Sequence, residues 1–315
     1  MPAFWQADGL DWLCPRVGLW CSGGVEVIVL STAEEAVRLV ARVVARSVRA
    51  RPDLVLGLAT GRTMEGVYRE LVRLHREEGL DFSRCRTFNL DEYVGVSSDD
   101  PRSFRHWMQE HFFRHVNLQP ANVHLPDGMA ADLEAECLRY EEQIRAAGGV
   151  DLQLLGIGRA GHIGFNEPLS SLQSRTRVKM LTPVTIRQNA AACGGEDRVP
   201  RRAVTMGVGT ILEARWCVLV ALGLEKAEVV ARAVEGPITS MVPASALQLH
   251  PRCTVVLDEA AASLLSLRDY CRWLFENEPD WAWYRQGPAG WGVSGRGGPG
   301  TGLQEGSDLG RVQSE

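Results

Sequence analysis

The sequence lacks the compositional features that mark membrane proteins, nucleic-acid-binding proteins and disulfide-rich proteins. No stretch approaches the ~18–20 apolar residues that a membrane-spanning helix needs, which excludes such a protein. Basic residues are not in surplus: 34 Lys and Arg stand against 39 Asp and Glu, for a net charge of −5. This balance disfavours a nucleic-acid-binding protein. The eight cysteines form no Cys-x-x-Cys pair. We therefore expect no nucleic-acid partner, no membrane partner, reduced thiols and a cytoplasmic location.

Several enzyme signatures are also missing. The chain has no Gly-x-Ser-x-Gly nucleophile elbow and no P-loop lysine after a glycine-rich turn. No Glu or Cys completes a zinc motif with a histidine pair, so we expect no metal. A Gly-x-Gly-x-x-Gly segment occurs at 156–161, but Pro168 interrupts any helix after it, which argues against a dinucleotide site.

Glycine is the residue in excess, and its distribution predicts the domain organisation. Ten of the 32 glycines fall between Gly287 and Gly310, a stretch too poor in apolar residues to offset its ordering entropy. We predict a disordered tail at 286–315 and an N-terminal extension at 1–24, which lacks a clear period. One domain is expected between them, at 25–285.

Short apolar runs alternate with amphipathic segments through this domain. Val25–Leu30 is the first run, and Thr32 with Glu35 forms a capping box before a helix at about 33–49. Further strands are expected at 54–59, 86–90, 152–157, 216–222 and 253–257, with helices between them and an alanine-rich helix at the end. Continuously apolar strands predict a three-layer, Rossmann-like α/β domain: a mostly parallel sheet with helices on both faces. Ligands bind at the carboxyl ends of such strands.

Polar residues follow two of these strands directly. Thr60-Gly61-Arg62-Thr63 leads into a helix, whose free first amides attract a phosphate or carboxylate; an ordinary strand-to-helix turn is the alternative. Asp91 and Glu92 follow the strand at 86–90. Neighbouring side chains point in different directions, so one carboxylate is expected to act alone as a general base, and a helix cap or solvated charge is the alternative.

The segment from Gly156 to Pro168 is the most informative. Four glycines surround His162 just after a strand and allow the backbone to approach a ligand. His162 and Glu167 are five residues apart, so a loop rather than a helix would bring them together. The carboxylate would then hold the imidazole and raise its basicity.

Five short segments of the sequence, taken together, resemble the glucosamine-6-phosphate deaminase family. The resemblance extends from about Val25 to Leu265 and leaves the terminal segments outside. The matching segments are Thr60–Thr63, Phe88–Gly95, Gly161–Pro168, Ser174–Lys179 and Val199–Thr210.

The resemblance implies a reaction and roles for three residues. Glucosamine 6-phosphate and water would become fructose 6-phosphate and ammonium, in amino-sugar catabolism and without a cofactor. His162 would be the base for opening the pyranose ring, with Glu167 orienting it. Asp91 would take the C2 proton and return it at C1, giving an enolamine, a ketimine and finally ammonia. The implied partner is a small-molecule sugar phosphate.

The implied phosphate site comprises Thr60, Gly61, Arg62 and Thr63, with Lys226 as a cationic partner. Two departures from the family stand out. Ala160 replaces an Asp or Asn that many members use in ring opening, so His162 either relies on Glu167 alone or opens the ring slowly. The family often places a phosphate-binding arginine after an Asn-Ala or Asn-Ser pair, and the segment 189–193 has none. The cations that could substitute for it are Arg62, Arg159 and Arg187.

Some members of the family are allosteric hexamers regulated by an acetylated sugar phosphate. Ser170, Ser171, Arg177 and Lys179 resemble the residues that line that regulatory site, with solvated charge as the alternative interpretation of the two basic residues. The resemblance therefore also implies a homo-oligomer.

Two other functions remain open beside the deaminase. One is a 6-phosphogluconolactonase, from a sister family. The other is a non-catalytic sugar-phosphate sensor, which Ala160 and the missing arginine motivate and the retention of Asp91, His162 and Glu167 opposes.

Overall fold

The computed structural model describes residues 24–287. The predicted terminal segments at 1–24 and 286–315 lie outside the described residues, apart from Gly24, Gln286 and Gly287. Gly24 is the first residue of a strand, and the other two follow the last helix. The described part of the chain contains no helix that combines the length and the apolar character needed to cross a membrane.

The main sheet has seven strands, and every pairing in it is parallel. In spatial order they are β1 (Gly24–Leu30), β10 (Arg252–Asp258), β9 (Cys217–Ala221), β6 (Leu152–Leu155), β2 (Val55–Leu58), β3 (Arg86–Asn89) and β5 (Val123–His124). The central strands are buried along their whole length. Strands that are buried on both faces need helices on both sides, as the continuous apolar runs in the sequence predicted.

Nine α-helices accompany the sheet in the described residues: α1 (Ala33–Ala50), α2 (Arg62–Glu78), α3 (Phe104–His111), α4 (Leu133–Ala146), α5 (Pro183–Cys193), α6 (Val208–Leu212), α7 (Ala227–Val234), α8 (Arg268–Asn277) and α9 (Ala282–Arg285). The predicted cap of α1 is present, because Thr32 Oγ1 accepts a hydrogen bond from the Glu35 amide at 3.1 Å. Glu35 in turn accepts from the Ser31 amide at 3.0 Å. Gly79 ends α2 in the left-handed conformation, at φ 66°.

The chain reverses its direction across the sheet between β2 and β6. From β2 it proceeds through β3 to β5 at one edge, and from β6 it proceeds through β9 to β10 towards the other. Right-handed crossovers in opposite directions place their helices on opposite faces of the sheet. Ligands of such open sheets bind at the carboxyl ends of the two strands that flank the reversal. In this chain those ends lead into the segments that begin at Thr60 and Gly156.

A second, smaller sheet was not predicted from the sequence. It has three antiparallel strands, β4 (Asp91–Tyr93), β8 (Arg202–Thr205) and β7 (Arg177–Met180). These strands contain no continuous apolar run, because β4 consists of two acids and a tyrosine and β7 is half-exposed. Asp91 and Glu92 therefore lie within a strand of this sheet rather than in a loop.

The predicted alanine-rich helix after β10 is wrong. Residues 259–264 form consecutive turns, and the next helix is α8. The Asp258 carboxylate accepts hydrogen bonds from the amides of Gly223 and Ala261, which holds the chain in a turn against the end of β9. Ala261 and Ala262 are fully buried there, so these alanines provide close packing.

Candidate active site

Four neighbouring strands of the main sheet bring the predicted site segments to one edge. The segments follow the carboxyl ends of β9, β6, β2 and β3, which are adjacent and parallel. They carry Lys226, His162, the turn Thr60–Thr63 and Asp91, respectively. The small sheet then connects this edge to the loop of His162, because Asp91 is in register with Thr205.

The Asp91 side chain is buried, at 7% exposure, and faces the histidine loop. A Cβ atom on Gly164 would lie 3.5 Å from Asp91 Oδ2 and 2.9 Å from Thr205 Oγ1. Thr205 Oγ1 also accepts a hydrogen bond from the Phe165 amide at 3.0 Å, which fixes the loop against β8. Burial, together with the negative charge of Glu92, raises the pKa of Asp91 to about 8. Among residues 24–287 no side chain or amide donates a hydrogen bond to this carboxylate.

Glu92 is buried in a different environment and is fully occupied. Its carboxylate accepts hydrogen bonds from the Tyr93 amide at 2.8 Å and from Ser103 Oγ at 2.8 Å. It also accepts from the amides of Phe104 and Arg105, both at 3.0 Å. These are first-turn amides of α3, so Glu92 caps that helix. The helix-cap alternative thus describes Glu92, and the free carboxylate is that of Asp91.

The His162 and Glu167 side chains are brought together by the loop. Nδ1 of His162 lies 3.3 Å from Oε2 of Glu167, and neither atom has a hydrogen bond to any other described residue. The other carboxylate oxygen accepts hydrogen bonds from Thr182 Oγ1 at 3.2 Å and from Thr185 Oγ1. Burial favours the protonated form of Glu167, but its interactions with His162 and Thr185 outweigh burial and lower its pKa. An ionised Glu167 can therefore hold the imidazole in place.

We expected the glycines of this loop to let a ligand approach the backbone. Two of them instead leave space for side chains of the protein itself. A Cβ atom on Gly158 would lie 2.0 Å from His162 Nε2, so the imidazole lies directly over this glycine. Gly161 has φ 82° and would bring a Cβ within 2.7 Å of Val242. Gly156 would meet no atom of the described residues within 4 Å.

The turn at the end of β2 exposes uncapped amides. Gly61 precedes α2 with φ 114°, and no side chain of the described residues caps this helix. By contrast, side chains cap α1, α3, α4 and α5. Free amides at the start of a 17-residue helix attract an anion. The hydroxyls of Thr60 and Thr63 flank the turn.

Lys226 joins the ends of β9 and β6. Its Nζ donates a hydrogen bond to the Ile157 carbonyl at 2.7 Å. Burial lowers the pKa of Lys226, and the positive charges of Arg159 and Arg62 lower it further, although Glu225 opposes this.

The four residues of the expected regulatory site have mixed environments. Arg177 is half-buried, and it donates a hydrogen bond to Asn166 Oδ1 at 2.9 Å. Burial lowers its pKa, and no carboxylate within residues 24–287 pairs with it. The Ser170 hydroxyl is buried without a hydrogen bond to any described residue, whereas Ser171 is exposed. Lys179 is half-exposed on the same face of β7 as Arg177.

Three threonines at this site were missed from the sequence. Thr182 and Thr185 support Glu167, and Thr205 joins the histidine loop to β8. Thr182 followed by Pro183 is an N-cap signal for α5 that could have been recognised. Nothing local in the sequence indicates that this helix start faces Glu167. The described residues contain no cluster of three or more His, Cys, Asp or Glu side chains that could hold a metal ion.

Comparison with known proteins identifies the family. The family model described as glucosamine-6-phosphate isomerases/6-phosphogluconolactonase matches residues 30–256. The chain belongs to this family. Within it, the chain is 50% identical to a glucosamine-6-phosphate deaminase of Arthrobacter sp. strain FB24 over 82% of this chain and 99% of that protein. It is 49% identical to glucosamine-6-phosphate deaminase 1 of Bacillus subtilis strain 168 over 76% of this chain and 99% of that protein.

Solved structures of the family show the same fold. A structure of a monomeric glucosamine-6-phosphate deaminase superposes with a TM-score of 0.75 at 49% identity, covering 76% of this chain and 99% of its own. A 6-phosphogluconolactonase from Trypanosoma cruzi superposes with a TM-score of 0.63 at 21% identity, covering 76% of this chain and 97% of its own. The second likeness establishes the shared fold alone. Both agree with the predicted fold class.

Proposed function

We propose that this chain is a glucosamine-6-phosphate deaminase, which converts glucosamine 6-phosphate and water into fructose 6-phosphate and ammonium. One observation carries the proposal: an unpartnered, buried Asp91 carboxylate faces the loop that holds the His162–Glu167 pair. The relatives at about half identity that bear this activity in their names support it.

The proposed first step is opening of the pyranose ring. His162 takes the proton of the C1 hydroxyl and a proton is returned to the ring oxygen, which breaks the bond between C1 and that oxygen. Glu167 stays ionised and orients the imidazole. Ala160 contributes no polar side chain, so the histidine acts with Glu167 alone.

Asp91 is the proposed base for the open-chain substrate. In its ionised form it removes the C2 proton, and the electrons of that bond form the C1–C2 double bond of an enolamine. The π bond of the C1 carbonyl breaks at the same time, and its oxygen takes up a proton from water. Return of the proton at C1 gives a ketimine at C2, to which water adds before ammonia leaves. A carboxyl whose pKa lies near 8 holds a transferred proton readily, which suits a base that must also return it.

The phosphate is proposed to bind at the start of α2. The amides of the turn and the hydroxyls of Thr60 and Thr63 would donate hydrogen bonds, with Gly61 shaping the turn. Arg62 and Lys226 would supply positive charge.

The two alternatives are less well supported. The lactonase structures are only about 20% identical to this chain, far below the deaminases. A sensor would not need a base with a perturbed pKa opposite a histidine–carboxylate pair.

Incubation of the pure protein with glucosamine 6-phosphate tests the proposal. We expect stoichiometric ammonium and fructose 6-phosphate, and for Asp91→Asn a kcat lower by roughly 10²-fold or more. Absence of ammonium from the wild type would contradict the deaminase, and binding of a sugar phosphate without turnover would identify a sensor. Unchanged activity in the variant would remove Asp91 from its role.

We also propose that Ser170, Ser171, Arg177 and Lys179 line an anion-binding regulatory site. A half-buried guanidinium without a carboxylate and a buried hydroxyl without a hydrogen-bonding partner in the described chain support this. Added N-acetylglucosamine 6-phosphate should then shift the substrate saturation curve of the wild type but not of Arg177→Ala. A flat wild-type response would contradict the site.

Assembly and location belong to the same proposal. The structural relative at 49% identity is called monomeric, which favours a monomer over the homo-oligomer expected from allosteric members; light scattering distinguishes the two. The six cysteines within residues 24–287 are all free and buried, which supports a reducing, cytoplasmic location.

A further inference from the structure

We propose that α5 holds the two catalytic parts of the site in fixed positions relative to each other, with Thr185 and Asn189 as positioning residues. Thr185 acts through Glu167, and Asn189 acts through the strand that carries Asp91. The inference rests on the proposed function, because it assigns these residues to the reaction of that site. Neither side chain needs to touch the substrate, since each acts through the residue that it contacts.

The start of α5 anchors the carboxylate of Glu167 by one of its two oxygens. Oε1 accepts hydrogen bonds from Thr185 Oγ1, from Thr182 Oγ1 at 3.2 Å and from the Thr182 amide at 3.5 Å. Thr185 is 1% exposed, so water does not compete for this contact. The other oxygen, Oε2, lies 3.3 Å from Nδ1 of His162. A carboxylate that is held at Oε1 cannot turn away from the imidazole without breaking its hydrogen bonds to the start of α5.

One turn later, the same face of α5 contacts the strand of Asp91. Thr185 and Asn189 are four residues apart, which places their side chains on one face of the helix. Nδ2 of Asn189 donates a hydrogen bond to Oη of the buried Tyr93 at 2.9 Å. Tyr93 follows Asp91 by two residues in β4, so both side chains leave the strand on the same face. The helix therefore connects the anchor of Glu167 to the strand face that carries the proposed base.

Aromatic packing supports this connection. The ring centroid of Tyr93 lies 5.7 Å from that of Phe165 in the histidine loop and 4.6 Å from that of Phe104 at the start of α3. Tyr93 and Phe165 belong to a hydrophobic cluster apart from the main core, which also contains Ile186 of α5 and Ala203 of β8. The helix thus packs against both parts of the site, and its two hydrogen-bonding contacts fix where it lies along them.

The proposed chemistry makes the relative position of these parts important. His162 acts at C1 and Asp91 at C2, on neighbouring carbon atoms of one bound substrate. A displacement of about 1 Å can cost on the order of 10²-fold in rate. The proposed phosphate contacts lie on another element, at the start of α2. Loss of either contact of α5 should therefore lower kcat and leave KM close to wild type.

Thr185→Val in the full-length protein tests the anchor of Glu167, because valine nearly keeps the shape of threonine and lacks the hydroxyl. We expect kcat for ammonium release from glucosamine 6-phosphate to fall by roughly ten-fold, since a hydrogen bond to a carboxylate is lost. Thr185→Ser keeps the donor and should retain most of the wild-type kcat. Thr87→Val is the matched control, because Thr87 is fully buried and its hydroxyl has no hydrogen-bonding partner among residues 24–287. The control should match the wild type, and an equal loss of kcat in the two valine variants would overturn the assignment.

Tyr93→Phe and Asn189→Ala test the second contact, and each removes one partner of the same hydrogen bond. We expect each variant to lower kcat several-fold, and the double variant to be no slower than the slower single one. Tyr284→Phe is the control, because that buried hydroxyl donates to the Glu35 carbonyl of α1, away from the site. Thermal unfolding checks that the variants are folded, and Tyr93→Phe removes a single oxygen atom. A wild-type kcat in both single variants, or losses that multiply in the double variant, would contradict the role of Asn189.

A measurement without turnover separates this inference from the proposed function. The NMR resonance of the His162 Cε1–H group, assigned with His162→Gln, should shift or broaden in Thr185→Val and stay unchanged in Thr185→Ser and Thr87→Val. If the wild type releases no ammonium but the resonance changes in Thr185→Val, the deaminase proposal fails and the positioning of His162 through α5 stands. If the wild type releases ammonium while Thr185→Val keeps both its kcat and the resonance, the deaminase proposal stands and the role of Thr185 is refuted.

Discussion

Adjacent residues at the candidate site serve opposite purposes because their surroundings differ. Asp91 and Glu92 are both buried acids of β4. Four donors stabilise the Glu92 carboxylate, whereas Asp91 has none among the described residues and feels the charge of its neighbour. Alternation along a strand sends the two side chains to opposite faces, which separates a structural acid from a reactive one.

The raised pKa of Asp91 predicts how stability depends on pH. The pKa of an aspartate in the unfolded chain is about 3.9, whereas the pKa of Asp91 in the folded protein is about 8. Between these values the folded protein keeps a proton that the unfolded chain releases. The free energy of unfolding contributed by this group therefore falls as the pH rises from about 4 to about 8.

Asp91→Asn should remove that dependence, because asparagine resembles the protonated acid and cannot ionise. We expect the variant to be more stable than the wild type at pH 8, on the order of a few kcal/mol, with a difference that shrinks towards pH 5. Urea unfolding at several pH values measures it. Asp99→Asn, at an exposed position, is the control and should show no such trend. A constant difference across the range would contradict the raised pKa.

Gly158 offers a second test at the scale of one residue. An alanine there would bring its Cβ to 2.0 Å from His162 Nε2, so the imidazole must move. We expect Gly158→Ala to lower kcat on the order of 10²-fold through loss of the positioned base, with a smaller effect on KM.

Gly156→Ala is the matched control, because no atom of the described residues lies within 4 Å of the added carbon. It should retain nearly wild-type kcat. Equal losses in the two variants would show that loop flexibility, and not the position of His162, determines the rate.

Among the secondary-structure elements, α3 depends on a carboxylate from outside the helix. Glu92 of β4 accepts the amides of Phe104 and Arg105, and Ser103 Oγ binds both Glu92 and the Arg105 amide. The ionised acid also suits the positive end of the helix dipole. This connection fixes α3 to the strand that carries Asp91.

Glu92→Gln should therefore destabilise the protein by about 1–2 kcal/mol, since the amide loses the charge and one acceptor. Thermal and urea unfolding at pH 7 measure the change. Glu134→Gln, an exposed acid in the first turn of α4, is the control, because Asp132 already caps that helix. We expect the control to have a much smaller effect. Similar losses of stability in the two variants would mean that Glu92 contributes only a negative charge near the first turn of the helix, and not its specific hydrogen bonds.

The elements also show how far sequence reasoning extends. Six of the seven strands of the main sheet were predicted from short apolar runs, whereas β5, which has only two residues, was missed. The cap of α1 was predictable from Thr32 and Glu35. The small sheet was not predicted, since β4, β7 and β8 contain no continuous apolar run and β4 pairs with β8 across more than a hundred positions of the chain. The positions of Asp91, His162 and Lys226 at one edge follow from the strand order. The contacts of Glu167 with Thr182 and Thr185, and of the histidine loop with Thr205, depend on α5 and on the small sheet, and could not be predicted from the local sequence.

At the scale of the whole molecule, the packed core extends beyond the segment that resembles the family. The family model ends at residue 256, and the sequence resemblance at about Leu265. Yet Phe275, Trp281 and Tyr284 are buried, and Trp281 Nε1 donates a hydrogen bond to Glu26 of β1. The C-terminal helices therefore cover the edge of the sheet at β1.

This arrangement predicts the outcome of two truncations. A chain of residues 24–287 retains every proposed site residue and every one of these aromatic contacts, so its melting temperature and kcat/KM should stay close to those of the full chain. A chain of residues 24–265 loses three buried aromatic side chains, each of which contributes roughly 3–5 kcal/mol when removed from a core. That sum rivals the entire stability of a typical domain, about 5–15 kcal/mol, so the shorter chain should not fold. Thermal unfolding and activity measurements on the two chains test these expectations. A tenfold loss of kcat/KM in the chain of 24–287 would show that a terminal segment completes the site, and a folded, active chain of 24–265 would contradict the role given to the C-terminal helices.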